Sequence, residues 1–310
     1  MSSDLVACLR RGDRAVLARA ISVAENGGAK AQALLERIGP ANVSHPVVGI
    51  TGTSGVGKST LIDQLVAELR ARDRTVAVVA IDPSSPFSGG AVLGDRCRMS
   101  RHQADQGVYI RSLSARGGTG GVSAGVDRVI QVLQASPFDL ILVETVGAGQ
   151  SEIDIRGIAD TCIVVCTPNS GDDIQAIKSG ILEIADILVA NKSDLAGSDK
   201  NVGQLIMAQS LPSNARPIPV LSTIATTGEG VDTLAERLLE LCRSERATAA
   251  SDMRASARRR LAGAVARKLE RHLIDAHDDD FEQMAASVDR GECVIDEAAA
   301  RWVRKVTDSH

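Results

Sequence analysis

Gly52-Thr53-Ser54-Gly55-Val56-Gly57-Lys58-Ser59-Thr60 is the stretch that decides the fold. It matches G-x-x-x-x-G-K-[ST] at every fixed position, and its flanks suit the pattern. The apolar run Val47–Thr51 enters it as a strand, and a helical segment from Lys58 to about Arg70 leaves it. Gly52, Gly55 and Gly57 let the backbone wrap a polyphosphate and aim N–H groups at it. The following helix adds its positive dipole end. Lys58 is expected on the β- and γ-phosphates, and the Ser59 hydroxyl on a magnesium ion.

Outward from this loop, short apolar runs alternate with helical segments. The strand candidates are Val47–Thr51, Val76–Asp82, Val108–Arg111, Leu140–Glu144, Cys162–Thr167, Ile187–Asn191 and Ile218–Leu221. Most are rich in Val and Ile without polar alternation, the pattern of parallel strands covered on both faces. The order predicts a doubly wound, mostly parallel α/β sheet with its ligand at the carboxyl ends of the strands. Residues 1–45 read as an N-terminal helical extension, broken at Asn26-Gly27-Gly28 and ended by Gly39-Pro40. Residues 46–243 form the nucleotide-binding domain, and 244–310 a helical C-terminal arm.

Two strand ends carry acids suited to a magnesium shell. Leu140–Glu144 ends in Glu144-Thr-Val-Gly147, and Val76–Asp82 opens into Asp82-Pro-Ser-Ser-Pro-Phe-Ser-Gly-Gly90. Asp95 follows in Gly94-Asp95-Arg96. A Pro- and Gly-shaped loop with two acids and several hydroxyls suits a nucleotide-sensing switch. For Asp82 or Asp95 alone, a turn or cap role competes evenly.

The base is read further along. Ile187-Leu-Val-Ala-Asn191-Lys192-Ser193-Asp194 is a strand ending in N-K-x-D. The Asp194 carboxylate can accept hydrogen bonds from guanine N1–H and the exocyclic amine. Adenine lacks that donor pair, so the carboxylate would be left unpaired. In company with the phosphate loop this predicts GTP and GDP over ATP. A last strand leads into Ser222-Thr223-Ile224-Ala225-Thr226-Thr227-Gly228. A backbone N–H near Ile224, Ala225 and Thr226 is expected on guanine O6. The position after Glu144-Thr-Val-Gly147 is Ala148, where many small GTPases carry a water-orienting Gln, so hydrolysis by the chain alone is expected to be slow.

Composition narrows the partners. Net charge is −4 with a pI near 5.8, and there are five aromatic residues: three Phe, one Trp and one Tyr. Neither property favours nucleic acid. No apolar run reaches the roughly 20 residues of a membrane span, and the opening segment lacks the apolar stretch of a signal peptide. The six cysteines form no C-x-x-C. Cys162 and Cys166 read as same-face core residues of one strand. Free thiols fit a cytoplasmic setting.

Taken together, these segments resemble the MeaB/ArgK-type G proteins, relatives of the human methylmalonic aciduria type A protein. The resemblance rests on Asp82–Gly90, Gly94–Met99, Ser114-Ala-Arg-Gly117, Gly120-Gly121, Glu144–Glu152 and Gly171-Asp172-Asp-Ile-Gln-Ala-Ile-Lys178 through Asp186. It implies a GTPase chaperone that gates adenosylcobalamin loading and protection of an acyl-CoA mutase such as methylmalonyl-CoA mutase. It also implies a homodimer assembled through the C-terminal arm. In addition, it implies a further switch loop carrying Asp172 and Lys178, with Lys178 a candidate to stabilise charge on the γ-phosphate. A solvated helix lysine is an equal reading of Lys178. Ser54 departs from the Pro of many members, and Ile224 from the Ser that often precedes the Ala of the guanine loop. A metallochaperone GTPase, a small-molecule or protein kinase, and a non-hydrolysing scaffold are the competing readings.

Overall fold

A computed structural model describes residues 4–40, 45–83, 99–115, 125–145, 155–168, 184–209, 218–247 and 279–308, with residues 261, 262, 265 and 273 besides. Seven strands build one sheet: β1 (Val47–Thr51), β2 (Val76–Pro83), β3 (Val108–Ala115), β4 (Leu140–Thr145), β5 (Thr161–Cys166), β6 (Ile187–Asn191) and β7 (Val220–Thr223). Their order is β3-β2-β4-β1-β5-β6-β7, and every neighbouring pair is parallel. The doubly wound α/β expectation holds. The strand order reverses beside β1, so the loop that leaves β1 lies at the switch point where such sheets take ligands.

The unalternating apolar strands have a simple cause: both faces are covered. Val47, Ala77, Val79, Ile141, Val143, Cys162, Val164 and Cys166 pack on one side. Helices α1 (Asp4–Arg10), α2 (Arg14–Asn26), α3 (Gly28–Ile38) and α5 (Val126–Gln134) cover that side. Val48, Ile50, Val76, Val78, Leu142, Ile163 and Val165 face the other, under α4 (Lys58–Ala71) and α7 (Val231–Ala247). Burying each Val, Leu or Ile among them contributes about 1.5–3 kcal/mol. Cys162 and Cys166 share one face with Val164, as their spacing predicts. α6 (Ser198–Gln209) follows β6.

Local chemistry sets the helix ends. The Asp13 carboxylate accepts from Ala15 N and Val16 N at 3.0 and 2.9 Å and caps α2. Gly27 and Gly39, at φ 73° and 83°, stop α2 and α3 at the breaks the sequence marks. Strand limits differ from expectation by one residue in β2, β4 and β5, and by more in β3 and β7. β3 runs on to Ala115 because β2 pairs with it as far as Pro83. β7 begins at Val220 and not at Ile218, since Pro219 has no N–H for the ladder and only its carbonyl is used, by Leu188 N.

The chain divides into two compact units, Met1–Arg260 and Leu261–His310. In the second, α8 (Asp279–Asp289) and α9 (Ile295–Asp308) pair through an edge-on contact of Phe281 and Trp302, with ring centroids 5.2 Å apart. Among the described residues, no helix is long and apolar enough to cross a membrane.

Candidate functional site

Because all seven strands are parallel, their carboxyl ends share one edge of the sheet. There the loop after β1, Glu144 in β4, the segment after β6 and the loop after β7 come together. The phosphate loop needs its glycines for two reasons. Gly52, Gly55 and Gly57 have φ of 144°, 82° and 94°, which side-chain-bearing residues rarely adopt. In addition, a Cβ on Gly52 would lie 2.2 Å from the Val165 carbonyl oxygen of β5.

α4 starts on Lys58 and Ser59, both 7% exposed. Lys58 Nζ donates to the carbonyls of Gly52 and Thr53 at 2.6 and 2.9 Å. Ser59 Oγ donates to Glu144 Oε1 at 2.7 Å, and Glu144 is 2% exposed. A buried hydroxyl and a buried carboxylate in contact at a helix N-terminus are hard oxygen donors of the kind magnesium selects. The site's chemistry therefore fits the ion. Beside them Thr145 Oγ1 donates to Thr51 Oγ1 at 2.9 Å and fastens β4 to β1.

The N-K-x-D residues do more than wait for a base. Asn191 is 1% exposed and is engaged through both its amide nitrogen and its amide oxygen. Its Nδ2 donates to Val56 O at 2.8 Å, and its Oδ1 accepts from Thr223 Oγ1 and Ala225 N, both at 3.1 Å. One amide thus ties the phosphate loop to β7 and to the loop after it. Lys192 takes a left-handed backbone, φ 58°, and its Nζ donates to Gly55 O at 2.7 Å. A non-glycine residue pays roughly 1 kcal/mol for that conformation, which persists only where surroundings enforce it. Asp194 is exposed at the end of this segment.

In the loop after β7, Ile224 bridges to Glu229, Ala225 is buried and Thr226 is exposed. The Ala225 N–H is directed at Asn191. Ser54 and Gly55 are exposed on the phosphate loop, while Val56 is buried beneath it; Thr53, Gly57 and Thr60 are half-buried. Asp82 lies in β2 opposite Ser114 of β3, at the same carboxyl edge. Asp95, Asp172 and Lys178 lie outside the described residues. Thr223, Thr51 and Thr145 were not singled out from the sequence. Their partners are distant in the chain, and no local pattern announces them.

A central parallel sheet, a Gly-rich loop into α4, a buried Ser–Glu pair and a base motif joined to that loop define a P-loop GTPase. The chain belongs to the MeaB family of methylmalonyl-CoA mutase-associated GTPases, whose model matches residues 17–278. A Pyrococcus horikoshii protein designated as a GTPase is 45% identical over 243 residues, 76% of each chain. The mouse mitochondrial methylmalonic aciduria type A homolog is 38% identical over 200 residues, 60% of this chain and 48% of the mouse protein. The crystal structure of a LAO/AO transport system kinase superposes with a TM-score of 0.70 at 23% identity, covering 98% of this chain and 97% of that one, and shares the fold.

Proposed function

We propose that this GTPase is a chaperone of a cobalamin-dependent acyl-CoA mutase, gating adenosylcobalamin loading and protection. The observation that carries the reading is the family match across residues 17–278, whose members are described as methylmalonyl-CoA mutase-associated. In this reading Lys58 meets the β- and γ-phosphates, and the N–H groups of residues 53–60 line the polyphosphate. Ser59 and Glu144 hold Mg2+, with Asp82 and Asp95 as further acids of its shell. The ion, when bound, neutralises charge between the phosphates. Asp194 accepts from the guanine edge, and the segment Ile224–Thr226 faces O6. Asp172 and Lys178 belong to a switch loop, with Lys178 stabilising charge on the γ-phosphate. Residues 244–310 serve as an arm for homodimerisation.

A site without an obvious water-orienting residue gains control, because turnover waits for a partner to complete it. By linkage, a mutase that prefers one nucleotide state shifts nucleotide affinity by the same factor. The test is GTP turnover with and without candidate acyl-CoA mutases, each with and without cobalamin. Acceleration by a mutase supports the reading. Unchanged turnover together with no detectable complex across the panel would defeat it and leave a GTPase alone.

A further inference from the structure

Helix α4 carries Lys58 and Ser59 on its first turn. Its second turn is gripped from outside by a short 3-10 turn, Ser100–His102, that precedes β3. Met99, fully buried against the α4 and α7 layer, seats that turn. From it, Arg101 Nη2 reaches Asp63 Oδ2 at 2.9 Å, Asp63 O at 2.7 Å and Gln64 Oε1 at 3.2 Å. His102 Nε2 lies 3.2 Å from Asp63 Oδ1, 3.0 Å from Asp63 O and 3.2 Å from Arg101 Nε, which donates to it, so the imidazole sits between the guanidinium and Asp63. His102 and Asp63 are nearly covered, with side chains 8% and 14% exposed.

Asp63 stands one helical turn after Ser59, on the same face of α4. Gln64 extends the network to the other end of the nucleotide site. Its amide oxygen lies 3.5 Å from where a Cβ of Gly228 would sit, in the loop that follows β7. One guanidinium therefore touches the helix that presents Ser59 and, through Gln64, borders the loop that faces the base. No atom of this network lies among the residues that meet the phosphates or the metal.

We infer that Arg101, His102 and Asp63 form a positioning brace that fixes the first turn of α4, and with it the Ser59 hydroxyl, at the distance from Glu144 that magnesium-dependent turnover requires. The inference rests on Ser59 and Glu144 as the metal donors. Ion-pair strength alone does not explain the arrangement: Arg101 is 44% exposed, and such a pair contributes about 0–1 kcal/mol to stability. Its geometric effect is larger. Displacing a reacting group by about an ångström costs on the order of a hundredfold in rate, so a smaller shift of Ser59 is expected to cost about tenfold.

The experiment compares the parent with Arg101→Ala, Asp63→Ala and Arg101→Lys in the full chain, with no mutase present. Three quantities are read: kcat and KM for GTP, the Mg2+ concentration giving half-maximal turnover, and Tm. The expected result for Arg101→Ala is a kcat about tenfold lower and a raised Mg2+ requirement. Tm is expected to move by less than about 3 °C. Arg101→Lys keeps the charge and one donor and should recover part of kcat. Values of kcat and Mg2+ requirement within about twofold of the parent in both alanine variants would overturn the brace, as would a change in Tm without a change in kcat. Since no mutase enters the assay, its outcome is independent of the chaperone reading.

Discussion

Replacing Asn191 with Ala tests whether the base motif is a structural tie as well as a recognition element. The side chain makes three hydrogen bonds in a fully buried setting: to Val56 O at 2.8 Å, and from Thr223 Oγ1 and Ala225 N at 3.1 Å each. A net contribution of about 1 kcal/mol per bond gives a floor near 3 kcal/mol. Val56 O and Ala225 N are then left without that partner in the interior, which raises the loss to about 3–5 kcal/mol. Against a typical domain stability of about 5–15 kcal/mol this is large. The assay is urea unfolding of the nucleotide-free protein, which isolates the tie from any contact with guanine. Thr223→Ala, which removes one bond, should cost only about 1 kcal/mol in the same assay. An Asn191→Ala protein within 1 kcal/mol of the parent would refute the reasoning, since the three contacts would then be geometric coincidence.

Other expectations follow from single contacts. Asp194→Asn should weaken GTP binding by about 2–3 kcal/mol, as a charged hydrogen bond is lost, and leave ATP binding unaffected, by calorimetry; equal affinity of the unmodified protein for ATP and GTP would sink the base assignment. Gly52→Ala should fail to give a nucleotide-binding protein, because its Cβ meets the Val165 carbonyl at 2.2 Å and no side chain can move aside; wild-type GDP affinity in that variant would contradict the loop's geometry. Burial pushes the Cys162 thiol up to about 12, with Arg156 pulling the other way. Since the folded value lies above the unfolded one of about 9, this thiol's contribution to stability is constant below pH 9 and is lost as pH rises from 9 to 12. Cys162→Ala should flatten that part of the alkaline unfolding curve, and an unchanged slope would exclude Cys162 as its source.

The fold was legible because its signals are local. The phosphate loop, the unalternating Val/Ile strands and the Gly breaks at residues 27 and 39 each lie in one short window, and each is met in the structure. The misjudged strand limits have equally local causes, though they act through neighbours. β3 is lengthened by β2, and β7 is delayed by the missing N–H of Pro219. What could not be read was who holds whom. Nothing near Asn191 announces Val56, and nothing near Arg101 announces Asp63. These pairings exist only once the sheet order has brought the segments together.

The carbonyls of the phosphate loop show why that assembly matters to function. Gly52 O and Thr53 O are held by Lys58, Gly55 O by Lys192, and Val56 O by Asn191. A peptide's C=O and N–H point in opposite directions, so holding carbonyls against the protein turns the amide donors toward the side where an anion sits. Two of the three residues doing this belong to the base motif and not to the loop. The orientation of the loop's amides therefore depends on residues at the end of β6, the strand to which the proposed function assigns guanine recognition. In the proposed reading, a shift of Asn191 or Lys192 on binding the base is passed to the loop carbonyls, and by reciprocity phosphate binding then alters base affinity by an equal free energy. Guanine recognition and phosphate affinity are, in that reading, coupled through these contacts. A Lys192→Ala variant, whose substitution removes the hold on Gly55 O, is expected to weaken inorganic pyrophosphate as well as GDP. Unaltered pyrophosphate affinity alongside weakened GDP would show instead that Lys192 serves the base alone.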